Sequence, residues 1–169
     1  MDGFTLDTLM RRDKHVAPLF EGVFAADTLP HRLHKRPALL IANTDPSSKP
    51  GTHWVAFYIG THGEGEFWDS YGMPPIISQH RKFLDRHCKK WTYNPTSLQA
   101  LDSKVCGEYC VLFLVYRAHG YSLPCFVKSL FTSNPKTNDQ IVRKLFARMF
   151  GKKRECSLPN AQRCCERKR

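Results

Sequence analysis

The sequence lacks any apolar run of the roughly 18 residues that a membrane-spanning helix needs. Its first fifteen residues, MDGFTLDTLMRRDKH, are interrupted by charges and lack the apolar centre of a signal peptide. We therefore expect a protein that is made in the cytosol, is not secreted and does not associate with a membrane.

Acidic residues are scarce relative to basic ones. The chain has 15 Asp and Glu against 26 Lys and Arg, for a formal net charge of +11. Residues 151–169, GKKRECSLPNAQRCCERKR, hold seven basic and two acidic residues and contribute +5, so residues 1–150 contribute the remaining +6. This surplus favours polyanions as partners, and nucleic acid is the first candidate class. The alternative is a solvated basic surface that ends in a basic segment without a partner.

Cysteine pairs at the spacing of metal or redox motifs are also lacking. The seven cysteines are an odd number and include no Cys-X-X-Cys pair. Without a signal peptide, a disulfide framework is therefore a poor explanation, and we expect free thiols, one of which is a candidate nucleophile. A zinc site built from His80, His87 and Cys88 with the cysteines of residues 156–165 is a weaker alternative, so we expect no metal.

What is present is a mixture of strand and helix patterns. Apolar, aromatic-rich runs of strand length occur at residues 36–44, 53–60 and 65–72, with a further short strand at 91–96. Helical patterns occur at residues 4–12, 76–90, 105–120, 122–131 and 138–150. The helix at 105–120 is apolar almost all round, which is typical of a core helix. We expect an α+β domain at residues 1–150, with a small mixed sheet packed on this central buried helix, followed by a basic, flexible C-terminal segment at 151–169.

The segment VCGEYC places Cys106 at the start of the predicted core helix. Unpaired amide hydrogens and the helix dipole lower the pKa of a thiol at that position. Gly107 leaves room for a substrate backbone, and Cys110 would share the helical face at greater depth. A cysteine at the start of an apolar helix is more often a small core residue, so the hypothesis of a nucleophile depends on its neighbours.

Three polar residues stand where they could assist that thiol. His53, at the start of a strand, could act as the base and stabilise the thiolate. Asp69 ends the next strand, and an antiparallel hairpin around the turn GTHGEG would bring it close enough to orient the His53 ring. Gln99 could donate to an oxyanion together with the backbone N–H of the nucleophile. Each residue alone is typical of a solvated or turn position, so the hypothesis depends on the ordered set His53, Asp69, Gln99, Cys106.

That ordered set also carries a resemblance. The segments LLIANTDPSSKPGTHWVAFYI, EFWDSYGMPP and LQALDSKVCGEYCVLFL resemble the adenovirus-type cysteine proteases, the adenain family. The closest likeness is to the adenain-like proteases of Polinton/Maverick elements and related large DNA viruses, and a more distant one is to the SUMO and ubiquitin-like-modifier proteases that share the fold. The resemblance covers most of the chain. It implies that His53, Asp69, Gln99 and Cys106 are catalytic and that Cys106 opens a central helix.

The resemblance also implies a function. Such enzymes cleave capsid and core precursors after small-residue sequences such as Gly-Gly or Gly-X-Gly during virion maturation, with Trp54 here as the candidate wall of the site. It implies DNA and a short basic cysteine-containing peptide as activators, and residues 152–169 resemble such a peptide attached in cis, with Cys88 as a thiol that could bond it. We expect a monomer located in the virion and in the host nucleus or cytosol.

Two alternatives stay open at this point. A deconjugating protease for ubiquitin-like modifiers would use the same four residues and differ only in how it holds its substrate. A non-catalytic, basic nucleic-acid-binding module would explain the charge alone. Loss of His53, Gln99 or Cys106 would have favoured the binding module, and all three are present.

Overall fold

Five strands and five α-helices make up the computed structural model, which describes residues 1–151. The helices are α1 (Gly3–Arg12), α2 (Ser78–His87), α3 (Cys106–Ala118), α4 (Leu123–Leu130) and α5 (Pro135–Phe150). The strands are β1 (Phe20–Phe24), β2 (Ala38–Asn43), β3 (Trp54–Ile59), β4 (Glu64–Trp68) and β5 (Lys90–Tyr93). A short 3₁₀ turn, Ala26–Thr28, follows β1.

The five strands form one sheet in the order β1-β2-β3-β4-β5. The central pairs β2–β3 and β3–β4 are antiparallel, whereas β1 pairs with β2 and β5 pairs with β4 in parallel. The predicted mixed sheet is confirmed, and so is the hairpin of β3 and β4 around the glycine-rich turn.

The two faces of the sheet bury different helices. Alternation along β3 directs Trp54, Ala56 and Tyr58 towards α3 and the helices around it, because successive side chains of a strand point to opposite faces. Val55 and Phe57 point to the other face, where α2 packs. Every α3 residue from 109 to 116 is fully buried, which confirms the predicted arrangement of a sheet on a central buried helix.

Several elements differ from the sequence-based expectation: β4 ends at Trp68 and not at residue 72, because the chain turns there, and α2 is shorter than the predicted 76–90. Strand β1 was not predicted, because its FEGVF pattern includes Gly22 at a φ of 146° beside a register shift, which hides the period-2 alternation. Helix α5 begins three residues earlier than predicted, at Pro135, where the Asn134 side chain accepts a hydrogen bond from the Thr137 N–H. The helix therefore starts at its cap and not at its first apolar residue.

Several expectations concern residues that the structure does not describe. The basic segment, with Cys156, Cys164 and Cys165, lies outside the described residues apart from Gly151, so the domain division and the role of that segment stay predictions. Within residues 1–151 no helix has the length and apolar character to cross a bilayer. The same residues contain no group of three or more His, Cys, Asp or Glu arranged to hold a metal ion.

Candidate active site

The β3–β4 hairpin brings His53 and Asp69 together. His53 immediately precedes β3 and Asp69 immediately follows β4. Because the two strands are antiparallel, these residues lie side by side at the same end of the hairpin. His53 Nε2 is 3.0 Å from Asp69 Oδ1, and Asp69 is only 6% exposed. The carboxylate therefore fixes the orientation of the imidazole ring.

A tight turn holds Asp69 in place. Its Oδ1 also accepts a hydrogen bond from the Tyr71 N–H at 2.8 Å, and its backbone carbonyl accepts one from Asn94 Nδ2 at 3.1 Å. Gly72 closes the turn at a φ of 74°, and a Cβ at that position would lie 2.6 Å from the backbone of Thr96. Only glycine fits the turn without displacing that backbone.

Cys106 is the first residue of α3, as predicted. No side chain caps this helix end, so its first amide hydrogens stay available. The His53 ring and the backbone N–H groups of Trp54 and Gly107 lie close enough to the Cys106 sulfur to favour its charged form. Because Asp69 engages Nε2 of His53, Nδ1 is the ring nitrogen that remains for the thiol.

These contacts favour the charged forms of both Cys106 and His53. Burial raises the pKa of the Cys106 thiol, but the hydrogen bonds from His53, Trp54 and Gly107 outweigh burial and the net pKa is lowered. Burial likewise lowers the pKa of His53, but the hydrogen bonds to Asp69 and Cys106 outweigh it and raise the pKa to about 9. Both shifts favour the thiolate–imidazolium pair over the neutral thiol and imidazole.

Gln99 is connected to His53 through the side chain of Tyr71. Its side chain is 1% exposed, and its Oε1 accepts a hydrogen bond from Ser70 Oγ at 2.7 Å. Its Nε2 donates to the Ser103 carbonyl at 3.0 Å and to the Tyr71 hydroxyl at 3.2 Å. The Tyr71 ring packs on His53 with 4.9 Å between ring centroids. The role of Gln99 as an oxyanion donor stays a prediction.

Tyr71 and Ser70 were not identified from the sequence. A signal for Tyr71 existed: with Ala56 opposite Trp68, continuing the β3–β4 register places Tyr71 opposite His53. The segment DSYG has the appearance of an ordinary turn, which conceals that register. No comparable signal points to Ser70, because its partner Gln99 is 29 residues away in sequence.

Gly107 has different surroundings from those expected. A Cβ at Gly107 would project towards Met1, Leu6 and Trp54, each at 3.5 Å, and not into an open cleft. The Trp54 indole N–H donates to the Met1 carbonyl at 3.0 Å. The N-terminal residues therefore pack beside Gly107 and against Trp54, the residue that was predicted to form a wall.

Two cavities adjoin these residues. A groove of about 410 Å³ runs beside Trp54 between α1 and the loop before β3, and Phe4, which lines it, is 83% exposed. A second, mostly apolar cavity of about 360 Å³ is lined by His53, Asp69 and Tyr71 together with the loop after β4, where Ile76 is 69% exposed. Exposed large apolar side chains beside a cleft are typical of a binding surface.

The fold is shared with solved structures, while no family model and no curated protein matches the chain. The ASFV pS273R protease matches over 86% of this chain and 66% of its own chain, with a TM-score of 0.54 and 19% identity. The chain thus spans about two thirds of the length of that protease. The central domain of the uncharacterized Lpg1148 protein from Legionella pneumophila covers 86% of this chain and 94% of its own, with a TM-score of 0.47 and 15% identity. At such identity, the likeness to the ASFV protease shows the fold.

Proposed function

We propose that this chain is a cysteine endopeptidase in which Cys106 is the nucleophile, His53 the general base and acid, and Asp69 the residue that orients His53. The observation that carries the proposal is the imidazole of His53, which Asp69 holds at 3.0 Å and which lies close enough to the Cys106 thiol for each group to favour the charged form of the other. The lowered pKa of that thiol supports it, since the thiolate is the nucleophilic form. The shared fold with a protease is a second, independent support.

The reaction follows from these positions. The sulfur electron pair of Cys106 attacks the scissile carbonyl carbon, a C–S bond forms, and the carbonyl π pair moves to oxygen. The oxyanion collapses, the C–N bond breaks, and the imidazolium of His53 gives its proton to the leaving amine. Water then attacks the thioester while His53 accepts a proton from it. The C–S bond then breaks with its electron pair returning to the Cys106 sulfur, the carboxylic product leaves, and the proton held by His53 returns to the sulfur.

The proposed substrates are precursor proteins of a virus or virus-like element, cleaved at small-residue sites such as Gly-X-Gly or Gly-Gly during virion maturation. The indole of Trp54 packs beside Gly107, the residue after Cys106, and against Gly3, and this crowding favours a backbone without large side chains next to the scissile bond. In this proposal the enzyme acts as a monomer in the virion and in the host nucleus or cytosol.

Mass spectrometry of cleavage products tests the activity and the substrate class together. The wild-type chain and its Cys106→Ala variant are incubated with capsid precursors that contain Gly-X-Gly sites and, separately, with conjugates of ubiquitin-like modifiers. Cleavage of the precursors by the wild type alone supports the proposal. Cleavage of the conjugates alone supports a deconjugating protease instead, and no cleavage of either, together with tight DNA binding, supports the binding module.

We further propose DNA as an activating partner, bound without sequence specificity. A concave surface of about 460 Å³ lies between the turn after β3 and the end of α2. It is lined by the cationic side chains of Arg36, Arg86 and Lys89, together with His62 and His87. Such a cluster attracts the phosphate backbone, and the binding should weaken steeply between about 50 and 200 mM salt.

A paired substitution tests this surface. Arg86→Ala with Lys89→Ala should lower the slope of log affinity against log salt by about 2, one for each lost phosphate contact. The control is Arg143→Ala with Lys144→Ala on α5, which removes the same charge from exposed positions on another helix. Equal loss in both double variants would mean that net charge, and not this surface, carries the binding.

A short basic cysteine-containing peptide is the second proposed activator, either added in trans or supplied by residues 152–169. Cys88, the thiol considered for bonding it, is half-buried, and burial raises its pKa to about 11. Disulfide exchange with Cys88 would therefore be slow at neutral pH, which favours non-covalent contact. Deletion of residues 152–169 that leaves DNA affinity and turnover unchanged would remove the cis form of this proposal.

A further inference from the structure

Both hydrogens of the Gln99 amide group are directed at protein atoms in this structure. Its Nε2 carries two hydrogens, and the two acceptors in place are the Ser103 carbonyl at 3.0 Å and the Tyr71 hydroxyl oxygen at 3.2 Å. Ser70, which is fully buried, holds Oε1 from the other side at 2.7 Å. The amide is therefore fixed in one orientation, and both of its donors point at protein atoms.

The Tyr71 hydroxyl has the complementary property. It accepts the hydrogen bond from Gln99, while its own O–H has no acceptor among residues 1–151. Its ring packs on His53 at 4.9 Å between centroids, and its backbone N–H bonds to Asp69 Oδ1 at 2.8 Å. Burial, the Cys106 thiolate and the Asp69 carboxylate all raise the pKa of Tyr71, so the hydroxyl keeps its proton over the working range of pH.

We propose that the Tyr71 hydroxyl donates a hydrogen bond to the oxyanion formed at the scissile carbonyl, and that Gln99 acts through Tyr71. When the sulfur of Cys106 forms its bond to the carbonyl carbon, the π pair moves to oxygen, and a donor aimed at that oxygen stabilises the charge. A hydroxyl that accepts a hydrogen bond becomes a stronger donor, so the Gln99 N–H strengthens the bond that Tyr71 gives. Ser70 is then a positioning residue for Gln99. This inference rests on the proposed peptidase function.

A purely structural role for Tyr71 makes different predictions. If the ring only packed against His53, removing the hydroxyl would change nothing, because the ring itself would remain. If the hydroxyl only helped to position His53, its loss would change the pH dependence that His53 sets. An oxyanion donor instead lowers kcat, leaves KM and the pH profile nearly unchanged, and weakens binding of compounds that mimic the tetrahedral intermediate.

The test compares Tyr71→Phe with Tyr121→Phe, a matched change beyond the far end of α3. For Tyr71→Phe we expect kcat to fall by about 10- to 1,000-fold with KM within about threefold. The alkaline limb of the pH profile should stay in place. The affinity for N-acetyl-Gly-Ala-Gly-glycinal, a peptide aldehyde that forms a hemithioacetal with the thiol, should fall by a similar factor. Tyr121→Phe should leave all four quantities unchanged.

A double-mutant cycle tests whether Gln99 acts through Tyr71. Gln99→Ala should reduce kcat in the wild-type background and have little additional effect in the Tyr71→Phe background. Independent, multiplying effects would overturn this part of the inference. Circular dichroism of each variant identifies a failure to fold, and in that case the Tyr71→Phe result, which retains the aromatic ring, decides alone.

The outcomes separate the inference from the function on which it rests. Cleavage by the wild type with an unchanged kcat in Tyr71→Phe overturns the inference and leaves the peptidase intact. A shifted alkaline limb in Tyr71→Phe overturns it in favour of positioning of His53. If the wild type cleaves nothing, calorimetry with the aldehyde still compares the two variants without turnover. Failure of the wild type to bind the aldehyde overturns both proposals.

Discussion

Cys106 and Cys110 lie one turn apart on α3, yet their thiols differ in opposite directions from an ordinary cysteine. Burial raises the pKa of Cys110 well above its usual value, and Cys110 is 0% exposed. Cys106 is also buried, at 9% exposed, but the hydrogen bonds from His53 and from two backbone N–H groups lower its pKa. The donors that surround the first turn, and not the apolar character of the helix, favour the thiolate at Cys106, while burial favours the neutral thiol at Cys110.

His53 and His80 repeat this comparison with imidazoles. Burial opposes the charged form of both rings, and it wins at His80, whose pKa falls to about 4 because its Nε2 meets only the Asn43 carbonyl. At His53 the Asp69 carboxylate and the Cys106 thiol reverse that effect and raise the pKa to about 9. In each pair of residues, the partners decide which member is charged.

Of the substitutions that test these comparisons, Cys106→Ala should have the largest effect on turnover, and Cys110→Ala is its control. Cys106→Ala should lower kcat/KM for a Gly-X-Gly peptide by at least about a thousandfold, because no other group can form the thioester. Cys110→Ala should keep most of the turnover and lose about 1–2 kcal/mol of unfolding free energy, since it leaves a small cavity. Steady-state kinetics and urea denaturation measure the two quantities.

An equal loss of turnover in Cys106→Ala and Cys110→Ala would mean that Cys106 is not the nucleophile. Unfolding curves show whether a loss of turnover in Cys110→Ala comes from loss of the fold. A Cys110→Ala variant that has lost its structure would show a collapsed transition, and a Cys106→Ala variant should unfold almost as the wild type does.

Asp69→Asn should have the next largest effect. It keeps the shape of the side chain and the acceptor for the Tyr71 N–H, so the fold should change little. It removes the carboxylate that raises the pKa of His53, so we expect kcat/KM to fall by about a hundredfold. The alkaline limb, near pH 9 in the wild type, should move to lower pH because burial then dominates. An unchanged limb in a pH–rate profile would contradict this assignment.

The positions of candidate site residues could be predicted from the sequence where they depend on a local pattern. Strand ends, a glycine-rich turn and the start of an apolar helix were enough to place His53, Asp69 and Cys106, because each signal spans only a few residues. The surroundings of Gln99 could not be predicted in this way, since they depend on Ser70, 29 residues away. The contact of Trp54 with Met1, 53 residues apart, and the parallel pairing of β1 are equally non-local.

Alkylation rates should rank the thiols by their thiolate fractions, which substitution does not measure. At pH 6 the lowered pKa gives Cys106 a larger thiolate fraction than Cys88, whose pKa is about 11, and than Cys110, whose pKa is raised. Iodoacetamide should therefore label Cys106 at least about tenfold faster than Cys88, and the ratio should shrink as the pH rises and Cys88 ionises. Peptide mapping by mass spectrometry gives the three rates, and uniform labelling at pH 6 would contradict the comparison of Cys106 with Cys110.

His80→Gln should have the smallest effect on turnover. It tests the comparison of His53 with His80 directly, through the pH dependence of the unfolding free energy. His80 is 1% exposed, and its pKa in the folded state lies below the unfolded value. Between these two pKa values, the imidazole is protonated in the unfolded chain and neutral in the native protein. Unfolding free energy should therefore decrease as the pH falls from about 6.5 to about 4, by about 3 kcal/mol in total. His53 acts in the opposite direction: its stabilisation is complete below about pH 6.5 and is lost as the pH rises through about 9. Gln keeps an N–H for the Asn43 carbonyl without a titrating group, so urea denaturation of His80→Gln should lose the acid limb and retain the alkaline one. Retention of the full acid limb would mean that His80 is not the neutral member of the pair.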